Sequence, residues 1–374
     1  MLFIFEIIGT LVNHDNKRIP LSGKERALRK GCYPYYGAQG IIDYIDDFIF
    51  DGDYILLAED GENLRSNKQN IANLASGKFW VNNHAHIITN NELSDLKYLY
   101  YLLNTIDISG FITGSTQPKL SQNSMNSIVV SIPSIIVQKK IASILSVLDD
   151  KISTNTQINQ NLEAQAQAIF KSWFVDFEPF GGMIPSEWQE ITFKSFLKTR
   201  SEKSDDPSVP LFSVTDTGIH PREEKFNKKI SKIGTKNKIA YETDIVFGMS
   251  REILNWGIMR EPRGCVSSAY NVFMVSKEIN SKYLESYIKM HSKNFQDLIG
   301  PASREGQGID KGALLAKTIL LPSKEVLSKY YEVEDSLTNM IQLNCEENKR
   351  LINLRDTLLP KLMSGEIDVS VIEI

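Results

Sequence analysis

The sequence has few cysteines, no long apolar run and no excess of positive charge. Its 374 residues include only three cysteines, Cys32, Cys265 and Cys345, and so few in so long a chain exclude a disulfide-built scaffold. No apolar stretch reaches the ~18 residues that cross a bilayer. The segment 1–12 is apolar but contains Glu6 and lacks a basic leader, which favours a buried strand over a signal peptide. We therefore expect no membrane association and a reducing, cytoplasmic location.

The overall composition is that of an ordinary globular protein. Apolar residues make up 42% and charged residues 24% of the chain, enough apolar surface to offset the entropy of folding. At roughly 150 residues per domain, the length predicts two or three domains. The net charge of −4 does not exclude nucleic acid as a partner, because binding depends on where the basic residues lie.

An internal repeat organises the chain. At a spacing of 189 residues, Asn155 returns as Asn344 and Asn159 as Asn348. Upstream, Lys97-Tyr98-Leu99 resembles Lys282-Tyr283-Leu284 at a spacing of 185. Such a period is too long for a solenoid and fits two copies of a domain followed by a helix. The domains predicted from it are 1–133, 134–179 (a central helix), 180–322 and 323–374 (a C-terminal helix and tail).

Each predicted long helix carries a seam of residues spaced alternately four and three apart, the 3.5-residue period of a coiled coil. The first seam runs from Ile141 to Trp173, and the second repeats it at the 189-residue offset. Each has two asparagines at its centre, and a buried Asn that pairs with another Asn fixes register. The pattern predicts an α+β fold: two pseudo-symmetric mixed α/β domains separated by two long antiparallel helices. The alternative, two unrelated amphipathic helices, does not explain the matched asparagines.

Two similar domains on a rod of roughly 50 Å suit a target that itself repeats, such as duplex DNA, whose helical turn is about 34–36 Å. Basic clusters support this interpretation. Between Arg222 and Lys238, seven basic residues stand against Glu223 and Glu224. A weaker cluster runs from Lys17 to Lys30. Phosphates attract such clusters, although a solvated surface is the alternative for each. The acidic stretch 43–62 is expected to face away from DNA.

Polar side chains in loops near these clusters are candidate base contacts, because Arg reads guanine and Asn or Gln reads adenine through paired hydrogen bonds. The alternative for each is ordinary turn chemistry. With the flanking cations, the candidates in the first domain are Lys17, Arg18, Gln39, Asn63, Arg65, Asn82, Asn83, Thr116, Gln117 and Lys119. Those in the second are Ser213, Thr215, Arg222, Lys225, Lys228, Lys229, Lys232, Ser250, Arg251, Asn255, Arg304 and Gln307.

Motifs for catalysis are not found. The sequence contains no Asn-Pro-Pro-Tyr loop of the kind an adenine methyltransferase needs, and no complete P-loop. His84 and His86 have the spacing of metal ligands on one strand face, but no third ligand completes a site, so packing is favoured. We therefore expect no cofactor, no metal and no active site.

The chain resembles the specificity (S) subunits of type I restriction-modification systems over essentially its whole length. The matching segments are 138–145 (QKKIASIL), 168–180 (AIFKSWFVDFEPF), 184–188 (IPSEW), 358–367 (LLPKLMSGEI) and, for one type of first domain, 35–44 (YYGAQGIIDY). The sequence departs from the family pattern at one place. The Ile-Pro-x-x-Trp start appears only before the second domain, which leaves the symmetry of the N-terminal edge open.

The resemblance implies a non-catalytic subunit with two target-recognition domains, each reading half of a bipartite double-stranded DNA site. It implies that the helices act as a ruler and dock two methyltransferase (M) subunits, and that nuclease-translocase (R) subunits then join. Two alternatives remain: a standalone nuclease or methyltransferase with an unrecognised site, and an interaction protein whose domains no longer bind DNA.

Overall fold

The computed structural model describes residues 2–66, 69–204, 206, 208–222, 237–250, 252–299 and 308–372. It divides the chain into two compact units, Met1–Gln157 with Leu343–Ile374, and Ile158–Gln342. The division falls inside two long helices, so each unit takes part of both.

The first unit contains ten strands among its described residues. They are β1 (Phe3–Ile7), β2 (Val12–Asp15), β3 (Lys30–Gly37), β4 (Gly40–Ile45), β5 (Phe50–Asp51), β6 (Tyr54–Ala58), β7 (Ala72–Ala75), β8 (Lys78–Val81), β9 (Ala85–Asn90) and β10 (Val129–Pro133). Strands β1 and β10 form an antiparallel ribbon, and two four-stranded sheets have the orders β2-β9-β6-β7 and β4-β3-β8-β5. Strands β5 and β6 are neighbours in sequence but do not form a hairpin, because β5 pairs with β8 whereas β6 pairs with β7 and β9.

Short helices connect strands of the first unit, and a long helix follows its last strand. They are α1 (Ile8–Leu11), α2 (Gly23–Leu28), α3 (Asn63–Ser66), α4 (Leu96–Leu103), α5 (Gln122–Asn126) and the long α6 (Ile135–Phe174). Helix α4 begins where the Asp95 side chain accepts a hydrogen bond from the Tyr98 amide, which satisfies one of the unpaired donors of the first turn. Its buried face packs with α6 residues such as Ile141 in the core of this unit.

The second unit is built in the same way. Its described strands are β11 (Gln189–Thr192), β12 (Leu197–Arg200), β13 (Lys203–Ser204), β14 (Phe212–Thr215), β15 (Gly218–Pro221), β16 (Asn237–Tyr241), β17 (Ile245–Phe247), β18 (Trp256–Ile258), β19 (Arg263–Val266), β20 (Asn271–Val275) and β21 (Thr318–Leu321). Its described helices are α7 (Phe193–Phe196), α8 (Ser281–Met290), α9 (Lys311–Ala316) and the long α10 (Lys324–Ser364). The sheets have the orders β11-β21, β12-β20-β17-β18, β13-β16-β19 and β14-β15.

The two units share a frame. The ribbon β1-β10 corresponds to β11-β21, and the order β2-β9-β6-β7 corresponds to β12-β20-β17-β18. The symmetry that the sequence left open at the N-terminal edge is present, because β1-α1-β2 matches β11-α7-β12. At this edge the two copies are 185 residues apart, because α1 begins at Ile8 and α7 begins at Phe193. The spacing of 189 residues between the helix asparagines therefore reflects four extra residues that lie further along the second copy.

Strand β1 confirms the prediction of a strand within 1–12 but is not buried. The side chain of Phe5 is 80% exposed, and Ile7 and its register partner Val129 are also exposed. The apolar composition of this segment suggests a buried strand. Only one face of the ribbon covers the core, however, so the apolar side chains on its other face are exposed.

The long helices run antiparallel within each unit. In the first unit Asp149 pairs with Arg355, and Asn155 with Asn348; as one residue number falls, the other rises. In the second unit, Phe170 contacts the ring of Tyr330. No helix among the described residues is both long and apolar enough to cross a membrane.

Candidate nucleic-acid interface

Four loops of the first unit come together on one surface, called here the four-loop surface: residues 37–40, 59–61, 82–84 and 113–119. The Gly61 amide donates to the Pro118 carbonyl at 3.1 Å, and the Glu59 amide donates to the His84 carbonyl at 3.0 Å. The hairpin turn 37–40 lies beside them, with Gln39 Nε2 3.6 Å from where a Cβ on Gly61 would lie. Segments far apart in sequence thus form one continuous surface.

The loop 113–119 is held rigidly. Thr113 and Lys119 exchange two backbone hydrogen bonds, both of 2.8 Å. Arg65 lies across the loop and donates to the carbonyls of Gly114 (2.5 Å) and Ser115 (3.0 Å). Gly114 has φ +81°, and a Cβ there would lie 2.2 Å from the Gln117 carbonyl oxygen, so this turn requires glycine. Polar side chains at its tip are therefore presented in a fixed geometry.

The structure separates the candidate base contacts of the first unit into two groups. Five are exposed on the four-loop surface: Gln39, Asn83, Thr116, Gln117 and Lys119. The others serve the fold. Asn63 is buried and donates to the Asn70 carbonyl at 3.3 Å. Asn82 is buried and accepts from the His84 amide at 2.9 Å. The predictions for Asn63 and Asn82 are revised, because side chains used in this way do not reach a ligand. The prediction for Arg65 is revised as well, because its guanidinium is hydrogen-bonded to the loop 113–119.

The basic cluster of the first unit is largely neutralised from within. Lys17 is exposed, but Arg18 pairs with Glu59 at 2.5 Å. Three more members of the cluster pair with the acidic stretch, through Arg26–Asp43, Lys30–Asp43, Arg29–Asp46 and Arg29–Asp47. The hydrogen bond from Lys30 is the main reason that the pKa of the Asp43 carboxyl lies below its usual range. Part of the acidic stretch 43–62 therefore lies against the basic cluster and neutralises it, and the expectation that this stretch faces away from DNA stays a prediction.

In the second unit, the hairpin β14-β15 and the segments 248–250 and 252–255 carry the described candidates. Thr215 lies near the hairpin tip, 3.0 Å from Thr217 between hydroxyl oxygens. Ser213 is buried in β14. Ser250 is fully buried and accepts from the Asn255 amide at 2.8 Å, and Asn255 donates to the Met249 carbonyl at 2.7 Å. Ser213, Ser250 and Asn255 therefore serve the fold, and their assignment as base contacts is revised.

The remaining candidates of the second unit are mostly not described. Arg222 is partly exposed, and its amide donates to the Leu211 carbonyl at 2.9 Å. The following predicted contacts lie outside the described residues: Lys225, Lys228, Lys229, Lys232, Arg251, Arg304 and Gln307.

A cavity of about 650 Å³ lies in the second unit between the β14-β15 hairpin, α6 and α8. Its floor is apolar and includes Trp256, and its wall carries Arg260, which pairs with Glu285. The same carboxylate binds Lys289 at 2.9 Å. Because these charges compensate one another, the cavity offers no strong site for a single ion.

The two histidines at ligand spacing point to different partners. His86 is buried and bonds through Nε2 to the Leu120 carbonyl at 2.7 Å, and burial lowers its pKa. His84 is exposed, and its Nδ1 lies 2.8 Å from Asp60 Oδ2. Within the described ranges, no group of three His, Cys, Asp or Glu residues is placed to hold a metal. Sequence reasoning missed the His84–Asp60 pair, because 24 residues separate its members.

The register asparagines behave as the seam predicts in the first unit. Asn155 is buried and donates to Asn348 Oδ1 at 2.9 Å and to Glu347 Oε2 at 2.7 Å. In the second unit Asn159 is also buried and donates to the Ile341 carbonyl at 3.4 Å. Asn344 is partly buried.

Comparison with known proteins gives consistent results. Residues 5–164 match the family described as type I restriction modification DNA specificity domain. The chain is 26% identical over 299 residues to the type I restriction enzyme MjaIX specificity subunit of Methanocaldococcus jannaschii, covering 73% of this chain and 69% of that protein. It is 27% identical over 331 residues to the HindI specificity subunit of Haemophilus influenzae, covering 67% and 72%.

A solved structure shows the same fold. The S subunit of a type I restriction-modification system from M. genitalium aligns with a TM-score of 0.61 at 16% identity, over 96% of each chain. Repeated α/β units with two long helices define the class of protein. The chain is similar to type I restriction-modification specificity subunits over most of its length, and its residues 5–164 match their DNA specificity domain. The solved structure confirms the predicted fold class. The similarity supports a specificity role rather than a catalytic one, and it gives no support to the alternative of a standalone nuclease or methyltransferase.

Proposed function

We propose that this chain binds double-stranded DNA at a bipartite site and directs the modification and restriction subunits of a type I system to it. The observation that carries the proposal is the four-loop surface. It presents exposed polar side chains on a braced loop, within the part of the chain that matches a DNA specificity domain. In the proposed arrangement, segments 1–133 and 180–322 are the two target-recognition domains.

The exposed residues of this surface suit two different tasks. Gln39, Asn83 and Gln117 carry amides that can pair with the edge of adenine, and Thr116 can bond to a base or contact a thymine methyl. Lys119 offers a point charge to a phosphate, which positions the protein without specifying sequence. Because the loop 113–119 is already ordered, little conformational entropy is lost when it binds.

In the second unit, we assign base contacts to Thr215 and to Arg251, Arg304 and Gln307. Phosphate contacts are assigned to the basic run that includes Arg222, Lys225, Lys228, Lys229 and Lys232. Seven basic residues against two acidic ones between 222 and 238 provide the electrostatic attraction that duplex DNA requires.

The test compares Gln117→Ala with Lys119→Ala. The chain is assembled with its methyltransferase subunits, and methylated sites are mapped across a genome. Gln117→Ala is expected to relax one half-site at one or two positions, by about 1–3 kcal/mol of discrimination. Lys119→Ala is expected to keep the sequence, weaken binding to all duplexes alike and reduce the log–log salt slope by about 0.9.

The matched control is Gln189→Ala, an exposed glutamine on β11, which is expected to leave both sequence and affinity unchanged. An unchanged site for Gln117→Ala would contradict the assignment, and an altered site for Gln189→Ala would show that such a change is not specific to the four-loop surface. Absence of duplex binding by the assembled wild-type complex at low salt would refute the function itself.

We further propose that two M subunits and then R subunits assemble on this chain in the cytoplasm. Co-elution of the chain with M subunits at a defined ratio in size-exclusion chromatography, measured by light scattering, tests the stoichiometry. Helices α6 and α10 both contribute to each unit. Inserting one heptad into each helix is therefore expected to lengthen the spacer between half-sites, and retention of the original spacer would exclude a ruler role.

A further inference from the structure

His84 has one ring nitrogen held by the protein and is otherwise open to solvent. It ends the turn between β8 and β9, where its amide bonds to Asn82. Its Nδ1 lies 2.8 Å from Asp60 Oδ2, and its side chain is 47% exposed while that of Asp60 is 16% exposed. A carboxylate at Nδ1 fixes the donor there and leaves Nε2 directed away. Nε2 accepts hydrogen bonds when the ring is neutral and donates when it is protonated.

Protonation of His84 changes the charge of this surface. The Asp60 carboxylate lies against His84 Nδ1, and the backbone of Asp60 forms a β-bridge with the backbone of Lys119, whose side chain is exposed on the loop 113–119. The Glu59 carboxylate, on the residue whose amide bonds to the His84 carbonyl, is paired with Arg18. The charges of Arg18 and Glu59 therefore cancel each other. Protonation of His84 adds one positive charge to the four-loop surface, with a donor on its exposed side.

We propose that protonated His84, held by Asp60, binds a DNA phosphate, so that DNA binding by the first unit is coupled to uptake of a proton. The proposal rests on the proposed function of the four-loop surface. A phosphate requires a donor, and Nε2 supplies one only in the imidazolium form. Binding of the phosphate favours that form, so the affinity gain is present at low pH and is lost as pH rises.

The experiment measures duplex affinity of the assembled complex by fluorescence anisotropy at pH 6 and pH 8, across a salt series. For the wild type, affinity is expected to rise roughly tenfold from pH 8 to pH 6, the size of one charge-assisted hydrogen bond. The log–log salt slope should steepen by about 0.9 over the same change. For His84→Gln both differences should be lost, and at pH 8 its affinity should match that of the wild type.

Two further variants separate contact from folding. His84→Asn keeps an amide N–H that can donate to Asp60 but has no group at the Nε2 position, so it should retain the turn and lose the pH-dependent gain. His291→Gln replaces a histidine on the second unit that bonds to the Tyr287 carbonyl, and should keep the full pH dependence.

The outcomes are distinguishable. If His84→Asn and His84→Gln retain the wild-type change in affinity and in salt slope, the proposal is overturned while the proposed function stands. If the wild-type complex shows no sequence-specific binding at either pH, the proposed function fails. Loss of the pH-dependent gain in both His84 variants, with His291→Gln unchanged, supports the phosphate contact.

Discussion

The Asn155–Asn348 bond in the helix seam allows a quantitative prediction about register and stability. Asn155 is 1% exposed, and its Nδ2 donates to Asn348 Oδ1 at 2.9 Å. Its own Oδ1 has no hydrogen-bond partner among the described residues. Asn155→Leu removes the donor from Asn348 in a partly buried seam, and an acceptor left unpaired there costs about 1–3 kcal/mol. We expect a loss of about 2 kcal/mol in the free energy of unfolding.

The double variant Asn155→Leu/Asn348→Leu should recover most of that loss. The other bonds of Asn348 are long, 3.3 Å to the Ile152 carbonyl and 3.4 Å to Thr156 Oγ1, and an apolar pair suits the seam. Urea unfolding followed by circular dichroism measures all three free energies. Asn353→Leu, on the exposed face of α10, is the control and should change stability by less than about 0.5 kcal/mol. A double variant that is no more stable than Asn155→Leu would refute the pairing.

The hydrogen bond from Asn155 to Glu347 predicts that the stability of the fold depends on pH. Hydrogen bonds from Asn155, and then from Lys151, hold the pKa of the Glu347 carboxyl below its ordinary value of 4.5. A carboxyl with a lowered folded-state pKa stabilises the fold at neutral pH, and this contribution is lost as pH falls through that lowered value. Because Asn155→Leu removes the main cause, the stability difference between wild type and variant should narrow below about pH 4.5. A constant difference down to pH 3 would contradict this account.

Three further substitutions test other parts of the chain. Gly114→Ala would place Cβ 2.2 Å from the Gln117 carbonyl and should disorder the loop, seen as faster proteolysis there and weaker DNA binding; Gly110→Ala, with no described heavy atom within 4 Å, is the control. Phe5→Glu, at a position 80% exposed, should reduce binding of a hydrophobic dye without lowering the melting temperature. Asp244→Asn should cost roughly 3 kcal/mol, measured by urea unfolding, because Arg200 loses its bonds to this buried carboxylate and keeps only the longer contact to Glu202 at 3.7 Å.

The features that sequence predicted well depend on spacing along the chain. The seam through Asn155 and Asn348 could be found because an α-helix places residues three and four apart on one face, whatever surrounds it. The repeat of Lys97-Tyr98-Leu99 as Lys282-Tyr283-Leu284 likewise marked α4 and α8. Both are local patterns, so their interpretation does not need the tertiary fold.

The features that sequence missed depend on pairing across the chain. Arg26 and Arg29 form a positive run in the sequence, but strands β3 and β4 pair so that Asp43 and Asp46 lie against them. Similarly, Asn82 and Asn83 are equivalent in sequence, yet only Asn83 is exposed. Charge and polarity identified the right loops, but which side chains face solvent is decided by contacts many residues away.

The two units share their frame and differ in the parts that face solvent. The ribbon and the sheet with order β2-β9-β6-β7 return in the second unit, whereas β4-β3-β8-β5 is replaced by β13-β16-β19 and the separate hairpin β14-β15. The exposed ribbon face also differs, since Glu190, hydrogen-bonded to Thr318, occupies the place of Phe5. Core packing restrains the frame because each buried residue contacts many others. Loops carry no such restraint, so one frame can support two different surfaces, which is what a DNA site with two unlike halves would require.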